Sequence, residues 1–178
     1  MSNFIHPTAI VSDKAIIGKG NYIDAYTVIY DNVTIGDNNH IGAHCIIGDH
    51  GESIRFFDKK PYGIIIGNNN RFTKQATIDL GTIQDTIIGN NVLILKNGHV
   101  GHDAIIHDNS QVRSNVVIGG HCVINENCIV SLNSVIQPRI TLPIGVTIGA
   151  CSNVTKKSIL TPNFVHYGNP CKPIRPRD

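Results

Sequence analysis

The sequence predicts an all-β fold, a parallel β-helix of triangular section, and three regularities carry that prediction. Aliphatic residues recur every six positions at Ile5, Val11, Ile17, Ile23, Ile29, Ile35, Ile41 and Ile47. The repeat resumes at Ile66, Phe72 and Ile78, slips by four residues, and then runs unbroken from Ile88 to Leu160. The residue four positions after the aliphatic one is small, as at Ala15, Thr27, Cys45, Ala76, Ala104, Ser110 and Ser134. These two positions share the inward face of a short strand, because side chains alternate across a strand with period two. Finally, Gly often follows the aliphatic residue directly, as at Gly18, Gly36, Gly42, Gly67, Gly89, Gly101 and Gly119, and Asn is plentiful. Gly or Asn is expected at the corners, where the backbone needs an unusual dihedral.

Each element follows from that repeat. Roughly twenty-four hexads, three to a turn, give about eight coils over residues 5–160 within one domain spanning 1–178. No stripe of 3.6-residue period persists before about Ser158, so helices are not expected. The repeat is lost from His50 to about residue 65 and again around Thr82–Thr86, and both breaks are expected as extruded loops. In the longer one, Arg55, Phe56, Phe57, Lys59 and Tyr62 suit the wall of a pocket. Beyond Leu160 the prolines Pro162, Pro170, Pro173 and Pro176 are expected to forbid further sheet pairing. Residues 161–178 therefore read as an extended tail that covers the open edges of the last coil.

Composition narrows the function. A hydrophobic content of 41% is enough for a core, while a formal charge of +2 with scattered basic residues argues against nucleic acid or an acidic membrane surface as the main partner. The N-terminal residues hold no apolar signal core and no run of eighteen apolar residues occurs, so a cytoplasmic protein without membrane insertion is expected. The cysteines are five in number, and Cys45, Cys122 and Cys128 share the small-residue position, so they read as reduced, buried thiols.

The candidate chemistry lies between Lys96 and Cys122. His102 and His121 are nineteen residues apart in a repeat whose turn is eighteen, which sets them at one corner on consecutive coils, about 5 Å apart along the axis. His102, beside Gly101 and Asp103, suits a general base, since an imidazole near its ordinary pKa accepts a proton from an attacking hydroxyl or amine. Gly119 and Gly120 precede His121, and the Gly120 N–H is the candidate donor to a developing oxyanion. His99 and His107 are expected to complete a local cluster, with Asn97 and His99 as substrate contacts. The spacing of His102 and His107 admits a metal alternative like that of the γ-class carbonic anhydrases, but a third histidine is missing from the matching coil and no metal is expected. Asp79, one hexad column away, is a candidate to orient a sugar amine. Lys156, Lys157, Lys172 and Arg175 are candidates for binding the phosphates of a ligand. A flat-faced prism has no cleft of its own, so a site needs a neighbouring column or an overlying loop, and a three-faced object closes naturally as a homotrimer.

The segment NGHVGHDAIIHDN and the GGH at Gly119–His121 resemble the UDP-N-acetylglucosamine O-acyltransferases of lipid A synthesis over roughly Ile5 to Val154. That resemblance implies a left-handed coil, which periodicity leaves open. It also implies His102 as base, the Gly120 N–H as oxyanion donor and His121 as a substrate contact. Two departures stand out: TIDLGT places Asp79 where that family has a histidine, and the segment Arg55 to Tyr62 replaces its substrate loop. The tail YGNPCKPIR, Tyr167 to Arg175, resembles the end of short acetyl-CoA-dependent sugar acetyltransferases. The implied function is transfer of an acyl group from acyl-CoA to an amine or hydroxyl of a sugar, a nucleotide-linked amino sugar in particular. An enzyme using acyl carrier protein as donor, a γ-class-like carbonic anhydrase and a non-catalytic scaffold are the alternatives.

Overall fold

A computed structural model describes residues 2–52, 54–56 and 58–177. Its strands are two to six residues long, and consecutive strands never pair until the C-terminal hairpin. Each pairs instead with the strand one turn on, so Tyr22–Ile23 lies parallel to His40–Ile41, and His99–Val100 to Val117–Ile118. Three parallel sheets result, and the chain visits them in rotation as the faces of a left-handed β-helix. The first face begins at Phe4–Ile5, the second at Ile10–Val11 and the third at Ile16–Ile17.

The hexad explains why the column is dry inside. The repeat residues from Ile23 to Val154 are buried, each fully buried aliphatic side chain contributing about 1.5–3 kcal/mol. The small residues four places on are buried as well, and they carry a second duty. Thr27 Oγ1 donates to the Gly42 carbonyl at 2.9 Å, Ser110 Oγ to that of Asn125 at 2.9 Å and Ser134 Oγ to that of Gly149 at 2.9 Å. The thiols of Cys45, Cys122 and Cys128 do the same, at 2.9, 3.1 and 3.1 Å. A small donor at this position thus satisfies a corner carbonyl that would otherwise be buried and unpaired.

The corners differ from the sequence expectation in one respect. The left-handed backbone falls three residues after the repeat position, at Asn38, Asn69, Asn91, Asn109, Asn115, Asn127 and Asn133, with φ of 55–60°. The glycine that follows the repeat residue is there for space. A Cβ on Gly36 would lie 2.4 Å from Asn68 Oδ1 and 2.8 Å from the Gly67 carbonyl oxygen of the next coil. Neighbouring coils pack backbone on backbone at Gly36, which leaves no room for a side chain there.

The two breaks leave the repeat between Asp49 and Ile64 and between Asp79 and Thr86. Residues 50–63 hold one short 3₁₀ turn, Ile54–Phe56, and the repeat is back in strand form at Ile64. Of the pocket-wall candidates here, Phe57 lies outside the described residues, and Arg55 and Lys59 are exposed. The base of this segment turns back onto the column: a Cβ on Gly51 would come within 2.7 Å of His102 Cβ. The insert at Thr82–Thr86 folds inward, for a reason given below.

The tail does pair. Phe164–Gly168 adds to the first face beside Thr147–Ile148, making about nine coils in all, and Cys171–Pro176 turns back antiparallel upon it. The prolines forbid pairing only on a strand that needs all its N–H groups. Pro173 and Pro176 lie on the outermost strand, whose outer edge faces no partner strand among the described residues.

Candidate active site

The corner between the second and third faces departs from the others, and the departure begins at Asp103. This residue adopts φ 60° where Asn usually stands, and it is 1% exposed. Its Oδ1 accepts the backbone N–H groups of Thr82, Ile83 and Gln84 at 2.9, 2.8 and 2.9 Å. Its Oδ2 accepts Thr82 Oγ1 and His102 Nδ1, each at 2.6 Å. The four-residue slip in the repeat is therefore a cage of amides wrapped around one buried carboxylate. Burial pushes that carboxyl up, but the bonds from Thr82, His102, Ile83 and Gln84 outweigh it and hold the group well below the usual carboxylate range.

His102 is fixed by that carboxylate. An ionised Asp103 can only accept, so the proton between them sits on His102 Nδ1 and leaves Nε2 as the acceptor. The ring packs over Gly120, where a Cβ would be 2.7 Å from Nε2. His121 stands on the next coil at φ 59°, its ring 5.0 Å from that of His102 and nearly perpendicular to it. Burial lowers the His121 pKa against the pull of Asp103, whose Oδ2 is 3.7 Å from His121 Nε2.

Gly120 is buried, and its N–H meets no acceptor among the described residues. The cause is visible in the next coil, which places Pro138 beneath it. Gly119 is required by the same proline: a Cβ there would meet Pro138 N at 2.7 Å.

An open cleft of about 280 Å³ joins these groups to Asp79, His99, Glu52 and Gln137. The exposed edges of Val117 and Val135 form its apolar side. His99 is oriented by Thr77 Oγ1, 2.9 Å from its Nδ1, and its Nε2 lies 3.7 Å from Asp79 Oδ2. Burial lowers the His99 pKa. Burial, with Glu52 and Asp49 nearby, pushes the Asp79 carboxyl up to about 7.

Of the residues singled out in the sequence, the cleft gathers His102, Gly120, Asp79 and His99, while His121 packs against the His102 ring without lining it. Asn97 stands at the opposite end of the strand His99–Val100, where it is exposed and bonded to Asn115 at 3.0 Å in a corner ladder. His107 is not part of the cluster: it follows the third-face strand Ile105–Ile106, a full face away from His99 on the second. The pairing of His102 with His107 as metal ligands fails for that reason. His102, Asp103 and His121 are the one group of potential metal ligands among the described residues, and the Asp103 oxygens are already taken by protein donors. Lys156 and Lys157 line a groove with Asn169 and Pro170 that shares Gln137 with the cleft, whereas Lys172 and Arg175 lie on the outermost strand and do not line it. Lys156 occupies the same corner position as His102, three coils further on, or about 15 Å along the axis.

A model of the bacterial transferase hexapeptide, six repeats long, matches residues 14–49 and 85–120. The matched stretches amount to 72 of the 178 residues. An acyl-[acyl-carrier-protein]–UDP-N-acetylglucosamine O-acyltransferase of Saccharophagus degradans is 32% identical to the repeat chain over 123 residues, 58% of this chain and 48% of that protein. The chain thus spans about half the length of that curated relative, and 20% of a like-named protein from Anaeromyxobacter, 40% identical over 52 residues. The structure of the UDP-N-acetylglucosamine O-acyltransferase from Moraxella catarrhalis superposes with a TM-score of 0.73 at 27% identity, covering 96% of this chain and 73% of that one. For the UDP-N-acetylglucosamine acyltransferase of Francisella novicida the values are 0.68, 27%, 97% and 68%. No helix among the described residues of this hexapeptide-repeat chain is long and apolar enough to cross a membrane.

Proposed function

We propose that this protein is an acyltransferase that moves an acyl group from an acyl-CoA thioester to an amine or hydroxyl of a sugar, a nucleotide-linked amino sugar in particular. The observation that carries the reading is the pairing of two groups across one cleft: His102, with Nδ1 held by a buried carboxylate, and Gly120, with a buried N–H that lacks an acceptor. His102 Nε2 takes the proton of the attacking group, and the Gly120 N–H receives the charge that develops on the thioester oxygen. Asp103 is a positioning residue that fixes the tautomer and favours the imidazolium formed in the reaction. Asp79, His99 and His121 contact the acceptor, while Lys156 and Lys157 hold the donor phosphates with support from Lys172 and Arg175.

The exposed Val117 and Val135 beside the cleft support a homotrimer in which a neighbouring column closes the site, the protein acting in the cytoplasm. The second reading takes an acyl carrier protein as donor and UDP-N-acetylglucosamine as acceptor, and the names of the relatives favour it. Thioester consumption measured with acetyl-CoA, with longer acyl-CoAs and with acyl carrier protein donors separates the two. Consumption that no donor supports, or that His102→Ala leaves within threefold of wild type, would sink the acyltransfer reading.

A further inference from the structure

We propose that the acceptor end of this cleft selects a primary amine, bound as its ammonium form, and that Glu52 together with Asp79 makes the selection. The inference rests on the acyl-transfer reading and commits it to amide formation. Asp79 is almost buried, with a side chain 9% exposed, yet no side-chain donor is within hydrogen-bond distance: His99 Nε2 is 3.7 Å away. It accepts the backbone N–H of Glu52. The strand Thr77–Asp79 shifts register between Ile78 and Asp79, and the shift sets Asp79 beside Asp49 of the preceding coil. Two carboxylates facing one another across a parallel pair repel, and the loop adds Glu52 as a third.

No lysine or arginine lines the cleft to offset them. A buried carboxylate without a counterion is costly, and the basic groups lining the cleft are the imidazoles of His99 and His102; burial lowers the His99 pKa against the pull of Glu52. A ligand cation is the missing partner. A hydroxyl acceptor would leave the charge uncompensated, and a neutral cleft would have served it as well.

The chemistry balances. The ammonium loses one proton to solvent by way of Asp79, whose carboxyl, pushed up to about 7, exchanges protons readily near neutrality. The neutral nitrogen attacks the thioester carbonyl, forming the C–N bond and an oxyanion at the Gly120 N–H. The second proton passes to His102 Nε2. As the C–S bond breaks, the sulfur leaves with that proton, so thioester plus ammonium gives amide, thiol and one proton. Glu52 and Asp49 keep Asp79 protonated to higher pH and at the same time attract the ammonium. Amine affinity should therefore weaken as pH falls from 8 to 6 and Asp79 loses its charge, the groups facing it being Glu52, Asp49, His99 and His102.

The test uses the full chain and paired acceptors that differ only in NH₂ against OH, UDP-glucosamine and UDP-glucose first, then the 3- and 4-amino hexose counterparts. Thioester consumption and the thermal midpoint are read for each. The amine of at least one pair should be preferred tenfold or more in kcat/KM, and Glu52→Gln should raise its KM at least fivefold without changing the KM of the acyl donor. Asp79→Asn should abolish the pH dependence of that KM between 6 and 8. Acylation that prefers the hydroxyl member overturns the amine inference and leaves acyl transfer standing. A thermal shift for amines alone, weakened in Glu52→Gln and without consumption of any thioester, keeps the amine site and removes acyl transfer. No preference for any amine by either readout, or a Glu52→Gln variant equal to wild type, overturns the proposal.

Discussion

Two corners of the same column, built from one repeat, do opposite things with the same backbone amide. On the corner between the third and first faces, the second residue after the repeat position forms a ladder: Asp37, Asn68, Asn90 and Asp108 stand on successive coils. The N–H of each of the first three is met by the side chain of the coil that follows, Asp37 by Asn68 Oδ1 at 2.7 Å, Asn68 by Asn90 Oδ1 at 2.8 Å and Asn90 by Asp108 Oδ1 at 2.7 Å. On the corner between the second and third faces the equivalent residues are Leu80, His102, Gly120 and Pro138. There the ladder is absent, Gly120 keeps a spare N–H, and the imidazole beside it is anchored by a neighbour at the next position. The first corner spends these donors internally, and the second leaves the Gly120 N–H and His102 Nε2 without partners among the described residues.

The comparison can be broken most forcefully at Asp103. Its replacement by Ala strands three amides of the insert and the His102 Nδ1 proton, so a stability loss of about 3–5 kcal/mol is expected, read by urea unfolding. A loss under about 1 kcal/mol would show that the insert holds itself without the carboxylate. His102→Ala should lower the kcat of the proposed acyl transfer by about 10² to 10⁴ while the fold and the donor KM survive, because the ring contributes nothing to the aliphatic core.

Asp79 distinguishes the two corners by pH. Its folded pKa, about 7, is above its ordinary 3.8, so the native state holds the proton more tightly than the unfolded chain. Stability conferred by that proton is full below pH 4 and is lost as pH rises through about 7, by up to about 4 kcal/mol at 1.36 kcal/mol per pKa unit. Asp79→Asn should remove this slope and stabilise the protein at pH 8; chemical denaturation at pH 5 and pH 8 decides it, and equal slopes in both proteins would contradict the assignment. The smallest effect belongs to the ladder. Asn90→Ala should cost about 1 kcal/mol and leave kcat within twofold, since it deprives only one exposed-side amide of its acceptor. A kcat change larger than that would mean that the two corners are coupled.

Much of this was legible in the residues. The hexad set the core, the small inward partner and the placement of His102 above His121, because a period of six in a strand geometry admits no other stacking of the aliphatic positions. The pairing of His102 with Asp103 was available in the adjacent letters, and Gly120 in the doubled glycine. What the sequence obscured was direction. Asp103 shares the left-handed backbone of the exposed corner asparagines and is buried because Thr82–Gln84 fold over its carboxylate, which makes that insert a cage and not a free loop. Glu52 entered the site because a segment with no repeat folds its base, at Gly51, against His102. His107 and Asn97, close in sequence to His102, were carried to another face and another corner by the six-residue turn itself. The prolines of the tail were read against a central strand, and the structure put them on an edge. Short-range periodicity determined this column from sequence alone, because every coil repeats one local rule. The chemistry depended on where that rule fails, and only the packing of neighbouring coils, loop and insert around the failures decided which groups would meet.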